Sequence, residues 1–124
     1  MNYVAISIGA ALGAIFRWQL TLRLAAVLQQ FPFGTIAANL IGAYLAGIAS
    51  AFFASHPNLP PQWRLLAVTG FLGGLTTFST FSAESMSLLQ KGDYGLALAH
   101  SAVHLLGSIA LCIAGFATYR ALAS

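Results

Sequence analysis

The sequence is nearly without charge. Only 6% of its 124 residues are Asp, Glu, Lys or Arg, where a soluble globular domain carries roughly a quarter. That shortage excludes a water-facing surface. With 59% hydrophobic residues and a mean hydropathy of +0.84, it makes the lipid bilayer the solvent. Acids are scarcest, two against five bases. The resulting pI near 9.5 implies no nucleic-acid partner, because Arg17, Arg23, Arg64, Lys91 and Arg120 stand singly and form no basic patch. A single cysteine, Cys112, excludes an intrachain disulfide. No basic segment precedes the first apolar run. Arg17 and Arg23 follow it instead, which favours a retained helix over a cleaved signal peptide. No nucleophile–base–acid set, Walker loop or Rossmann fingerprint is present, so no enzyme is expected.

What remains is long apolar sequence. A helix needs about 20 mainly apolar residues to cross the hydrocarbon core. Residues 3–28, 34–55, 63–90 and 94–121 each meet that length. They predict an all-α membrane protein of four transmembrane helices, one domain over residues 1–124. The separators carry turn chemistry: Gln29, Gln30, Phe31, Pro32, Phe33 and Gly34; then His56, Pro57, Asn58, Leu59, Pro60 and Pro61; then Lys91, Gly92 and Asp93, with Gly92 as the helix stop. Trp63 falls where an interfacial aromatic belongs.

An even number of spans puts both termini on one side. Arg64 and Arg120 share that side, Lys91 and Arg23 the other, and Arg17 lies farther inside the first span. Orientation by positive charge needs an imbalance, and here there is almost none. Copies can then insert both ways, which permits an antiparallel dual-topology homodimer. A small residual bias that orients every copy one way is the alternative. Small residues four apart, Gly9 with Gly13 and Ala38 with Gly42 and Ala46, let helix backbones approach closely in lipid. So few helices hardly enclose a pathway alone, so conduction would require an oligomer.

The chemistry concentrates between Gly70 and Glu84, in the third span. Gly70, Gly73 and Gly74 fall within five residues, and each weakens a helix by about 1 kcal/mol. Thr76, Thr77, Ser79, Thr80 and Ser82 add hydroxyls. This density predicts a helix broken mid-membrane, which lipid tolerates only where the backbone is buried or faces a polar cavity. Freed carbonyls there can hold a cation, and the start of the next half-helix can attract an anion. A glycine kink with self-bonded hydroxyls is the alternative. Phe78 and Phe81 are three apart and share a face. Their positive ring edges can line an anion path, or the pair can simply pack in a core.

Asn39 lies mid-span and needs partners in lipid. Its amide can donate to an anion or join two helices; Thr35 is one turn away on the same face. Arg17 can snorkel, pair with a carbonyl or with Glu84, or line an aqueous vestibule. His100 and His104 have a metal-ligand spacing, but no nearby carboxylate in the sequence completes a set. A polar stripe of His104, Ser108 and Cys112, recurring every fourth residue, is the better expectation.

At these residues the sequence resembles the Fluc (CrcB) fluoride channel family. The matching pieces are Gly9 to Ala14 with Arg17, then Gly34 and Thr35 with Asn39 and Gly42, then Gly70 through Phe81. The last piece, GFLGGLTTFSTF, is the most specific. The resemblance implies a passive fluoride-selective channel, multi-pass in the cell inner or plasma membrane, that exports cytoplasmic fluoride and gives fluoride resistance. It implies an antiparallel homodimer with two pores and a central structural sodium ion (Na+), held by the carbonyls of Gly73 and Thr76, with no organic cofactor. By position, Asn39 is the pore asparagine and Phe78 and Phe81 are the pore phenylalanines. Ser79 and Thr80 face the mouth of the anion path, Arg17 lies near a vestibule, and Thr35, His104 and Ser108 belong to the polar lining. A histidine at 104 and a cysteine at 112 depart from the family pattern. The rival is a small dual-topology multidrug or cation exporter, whose proton-coupling glutamate sits in the first helix; here that span holds Arg17 and no acid.

Overall fold

The computed structural model describes residues 1–25 and 33–123. Every regular element in them is helical. Helix α1 spans Asn2–Ala25 and α2 spans Phe33–Ser55. The third apolar stretch starts at α3, Pro61–Arg64, with Pro61 in the first turn, where its missing N–H costs no hydrogen bond. It continues as a π-helical stretch, Leu65–Leu72, and one α turn, α4, Gly73–Leu75. Thr76 and Thr77 are extended (φ −89°, ψ 154° and φ −151°, ψ 119°), and α5 resumes at Phe78–Gln90. The fourth stretch comprises α6, Tyr94–Ala102, a second π-helical stretch, Val103–Gly107, and α7, Ser108–Ala123. Among the described residues, four helical runs are long and apolar enough to cross a membrane: Asn2–Leu24, Phe33–Ser55, Pro61–Gln90 and Tyr94–Ala123.

The predicted spans agree with these helices to within a few residues. Residues 26–28 of the first span and residues 29–32 of the first turn lie outside the described residues. Phe33, expected in that turn, is instead the first residue of α2. The stop after Gln90 has a specific cause. Gly92 adopts φ 80°, its N–H donates to the Leu89 carbonyl at 3.1 Å, and Asp93 N–H donates to Leu88 at 3.0 Å. This pair of bonds is a Schellman ending, which needs glycine in the left-handed position.

Glycine rows set the packing. A Cβ on Gly9 would fall on the Leu66 carbonyl oxygen, and one on Gly13 would fall on that of Phe71. Reciprocally, one on Gly70 would meet the Ile6 carbonyl and one on Gly74 that of Ala10. So α1 lies with its backbone against the π-helical stretch and α4. Gly47 and Gly115 do the same for α2 and α7, facing the Cys112 and Tyr44 carbonyls. The Gly9–Gly13 row is therefore used inside the protomer. The core where these pairs meet is Ala38, Leu72 and Leu75, with Leu20, Leu45 and Phe71 packed around it. Leu12, Ile15, Trp18, Leu98, Leu106 and Ile113 are exposed and give the outer surface its apolar character, as expected where lipid replaces water.

Candidate functional site

The two extended threonines redirect two backbone donors. In a continuing helix Thr77 N–H would close on the Gly73 carbonyl and Thr80 N–H on that of Thr76. Instead Thr77 N–H donates to Asn39 Oδ1 at 2.7 Å, and Thr80 N–H donates to Thr77 Oγ1 at 3.1 Å. The second bond is an N-cap, worth about 1 kcal/mol. The Gly73 and Thr76 carbonyls are thereby left without their helical donors, while the Thr76 hydroxyl and N–H close the preceding turn on Leu72 O at 2.8 and 3.0 Å. A hard cation takes oxygen ligands of this kind, so the two carbonyls fit the sodium role expected of Gly73 and Thr76. Gly73 is exposed in the protomer, so further ligands would have to come from outside it.

Asn39 reaches this break from α2. Besides accepting from Thr77 N–H, its Nδ2 donates to the Thr77 carbonyl at 3.1 Å and lies 3.0 Å from His104 Nδ1. Gly42, one turn on, leaves the room for this approach: a Cβ there would strike the Thr76 methyl. Of the alternatives the sequence left for Asn39, the helix-joining one is realised, and to the interrupted backbone itself.

Beside the break opens a cleft of about 670 Å3. Asn39, Gly73, Thr76, Thr77, Phe78, Phe81, His104 and Ser108 are among the residues on its wall. Phe78 and Phe81 do share a face, with ring centroids 5.5 Å apart and planes at 52°. Phe78 is 79% exposed, whereas Phe81 is half-buried against His100 (5.2 Å, stacked) and His104 (4.6 Å, tilted). Thr35, Ser79, Thr80 and Cys112 do not line this cleft. Ser79 is exposed at the start of α5, within 3.3 Å of Thr77 Oγ1. Cys112 belongs to the α2–α7 seam, so the polar stripe contributes His104 and Ser108 to the cleft and not its third member.

Glu84 lies behind the cleft and is fully engaged. Thr35 Oγ1 donates to its Oε2 at 2.7 Å, and His100 Nε2 lies 3.2 Å from Oε1. His100 is completely buried, and its Nδ1 meets Ser85 Oγ at 3.0 Å. The sequence offered the histidine pair no nearby carboxylate. The fold corrects this: α5 folds back on α6 and brings Glu84 to His100 and His104, with one ligand atom from each within 4.8 Å of the others. Arg17 resolves differently. Its Nε donates to the Gly74 carbonyl at 3.0 Å, so the carbonyl pairing is realised and not the one with Glu84. Sequence reasoning did not single out Thr77 as Asn39's partner, nor His100 as Glu84's. The available signal was that a buried amide and a buried acid each require partners.

Against known proteins, residues 4–116 match the family described as CrcB-like protein, Camphor Resistance (CrcB). The chain is similar to the fluoride-specific ion channel FluC of Cupriavidus metallidurans, 56% identical over 123 residues, which is 99% of this chain and 98% of that protein. It is similar to the protein of the same name from Ralstonia nicotianae, at 54% over 98% of this chain and 97% of that one. To that from Burkholderia pseudomallei it is 54% identical over 97% and 94%.

Proposed function

The chain belongs to the CrcB family, and on that premise we propose that it is a fluoride-selective passive channel that lets fluoride leave the cytoplasm. What carries the proposal is whole-length similarity to proteins named as fluoride-specific channels; the cleft beside the helix break supplies a physical route. Fluoride is small, hard and strongly hydrated, and replacing its water takes several directed donors. The cleft wall carries the hydroxyl residues Ser101 and Ser108, the imidazole of His104 and the rings of Phe78 and Phe81, and no Lys or Arg among the described residues. Conduction needs sites that are multiple and weak, and a neutral lining meets that need. Fluoride that enters a cell as neutral HF dissociates inside, so passive export through an inner or plasma membrane protects the cytoplasm.

In the proposed assembly two copies pack antiparallel. The exposed Gly73 and Phe78 support this, since both belong to a break that lipid would not tolerate uncovered. The Gly73 and Thr76 carbonyls of both copies would hold a structural sodium ion between the third spans, which ties the two breaks together. Each copy's Phe78 and Phe81 would then line one of two paths, with Asn39, His104 and Ser108 beside them. Ser79 and Thr80 would stand at the mouth, and Thr35 would belong to the polar lining, with Glu84 as a structural charge held by Thr35 and His100. The exporter alternative lacks an acid in the first span, and Glu84 is held by Thr35 and His100.

The test is efflux from liposomes loaded with fluoride and containing the purified protein. Release should be passive, need no proton gradient and exclude chloride. Chloride released as fast as fluoride would end the selectivity claim, and retention of fluoride would end the channel claim.

A further inference from the structure

Asn39 has no hydrogen left for an anion. The Thr77 N–H can only donate and the Thr77 carbonyl can only accept, so these two backbone groups settle which end of the amide is which. Oδ1 faces the N–H at 2.7 Å, and Nδ2 faces the carbonyl at 3.1 Å. The second Nδ2 hydrogen points at His104 Nδ1, 3.0 Å away. An amide nitrogen offers only hydrogens, so His104 Nδ1 is the acceptor and the ring hydrogen sits on Nε2. That Nε2 is buried and has no hydrogen-bond partner among the described residues. His104 is only 6% exposed and stands on the cleft wall with Phe81 and Ser108.

We propose that the N–H on His104 Nε2 is the donor that meets fluoride in the cleft, and that Asn39 is a positioning residue holding the imidazole in the donating tautomer. This rests on the channel function proposed above and names the donor within it. A neutral ring N–H is a directed donor without a full charge, so it can replace one hydrating water and still release the ion. The tautomer is set from the helix break: the Thr77 backbone orients Asn39, and Asn39 orients the hydrogen on His104.

The same geometry weighs against a transition-metal site at Glu84, His100 and His104. Two histidines and a carboxylate suit such an ion, and their ligand atoms lie within 4.8 Å of one another. A metal on His104 Nε2 needs the lone pair there, which moves the hydrogen to Nδ1. It would then face the Asn39 N–H, donor against donor. An anion is the partner that leaves the Asn39 contact intact.

The experiment uses the full chain, labelled with 15N-histidine and reconstituted in liposomes, with the tautomer read by NMR and fluoride efflux measured in parallel. His104 should carry its hydrogen on Nε2, and fluoride, but not an equal concentration of chloride, should shift that resonance. Asn39→Asp presents an acceptor to Nδ1; it should move the hydrogen there and slow efflux at least tenfold. His104→Phe keeps a ring against Phe81 and should slow efflux at least tenfold, after which Asn39→Asp should slow it little further. A hydrogen on Nδ1 in the unsubstituted protein, an Nε2 resonance indifferent to fluoride, or full flux in His104→Phe would each overturn the proposal. So would zinc shifting both His100 and His104 and stopping flux, which would make the cluster a metal site. Liposomes that retain fluoride with the unsubstituted protein would refute the channel function instead, and the Nε2 response to fluoride would still decide whether the donor is there.

Discussion

Gly13→Ala and Gly95→Ala make the same chemical change with opposite expected signs. Gly13 is buried in the seam between α1 and the third span. An added Cβ would fall on the Phe71 carbonyl oxygen, with Leu75 N at 2.7 Å and Phe71 C at 3.0 Å. Ordinary contact is about 3.5–4.0 Å. These are backbone atoms of a helix, so no rotamer change relieves the clash, and α1 must back away along its length. That motion also stretches the Arg17–Gly74 bond one turn on. Overpacking of this kind costs about 1–3 kcal/mol, and the rigid backbone puts it at the upper end. Alanine regains about 1 kcal/mol of helix propensity, which leaves a net loss of about 1–2 kcal/mol. Around Gly95, in the first turn of α6, a Cβ meets nothing within 4 Å, so only the propensity gain of at most about 1 kcal/mol remains. Unfolding in lipid–detergent mixed micelles, followed by Trp18 and Trp63 emission at fixed protein-to-lipid ratio, measures both. A Gly13→Ala protein as stable as the unsubstituted one would refute the backbone contact assigned to that seam.

Three further outcomes follow from the site. Phe81→Ile keeps an apolar side chain but removes the ring that lies 5.2 Å from His100 and 4.6 Å from His104; fluoride efflux should fall at least tenfold with the gel-filtration profile unchanged, and undiminished efflux would take the ring out of the path. Replacing sodium by a large organic cation should lower the thermal stability of the assembled protein, whereas equal melting in both would argue against a cation on the Gly73 and Thr76 carbonyls. Thr35→Val removes the donor 2.7 Å from Glu84 Oε2, a hydrogen bond to a charged group worth about 1.5–3 kcal/mol. Thr35→Ser should retain most of that stability, and a valine variant as stable as the serine one would show the bond to be immaterial.

The helices were legible because lipid imposes a length and a composition that residues cannot hide. The stop at Gly92 was legible for the same kind of local reason: the left-handed position that ends α5 needs glycine. The interruption near Thr76 followed from glycine and hydroxyl density. What closes the interruption was not legible, since Asn39 finds its partners on the Thr77 backbone, and a backbone group leaves no trace in residue identity. The Glu84–His100 contact was missed for a related reason. Its two members belong to different helices, sixteen residues apart in sequence, and only the hairpin that joins α5 to α6 brings them together. Arg17 shows the limit from the other side: its need for an acceptor was evident, but only the glycine seam that brings Gly74 beside α1 decides which one.

The same two extended residues account for both charges that the proposed function requires. A break in a helix exposes carbonyls on the side it leaves and N–H groups on the side it enters. Here Thr76 and Thr77 hold those ends apart, and Asn39 satisfies both backbone groups of Thr77 at once. The interruption is thereby closed by the protein's own side chain, without help from an ion. What remains is two-sided. The Gly73 and Thr76 carbonyls, deprived of their donors, form a negative end that suits a cation. The first turn of α5, where Phe78 begins, forms a positive end that suits an anion. On this account a structural cation and an anion path are two consequences of one local unwinding. Asn39 has a place in both, because the amide that closes the break is also the one that holds Nδ1 of His104 on the cleft wall.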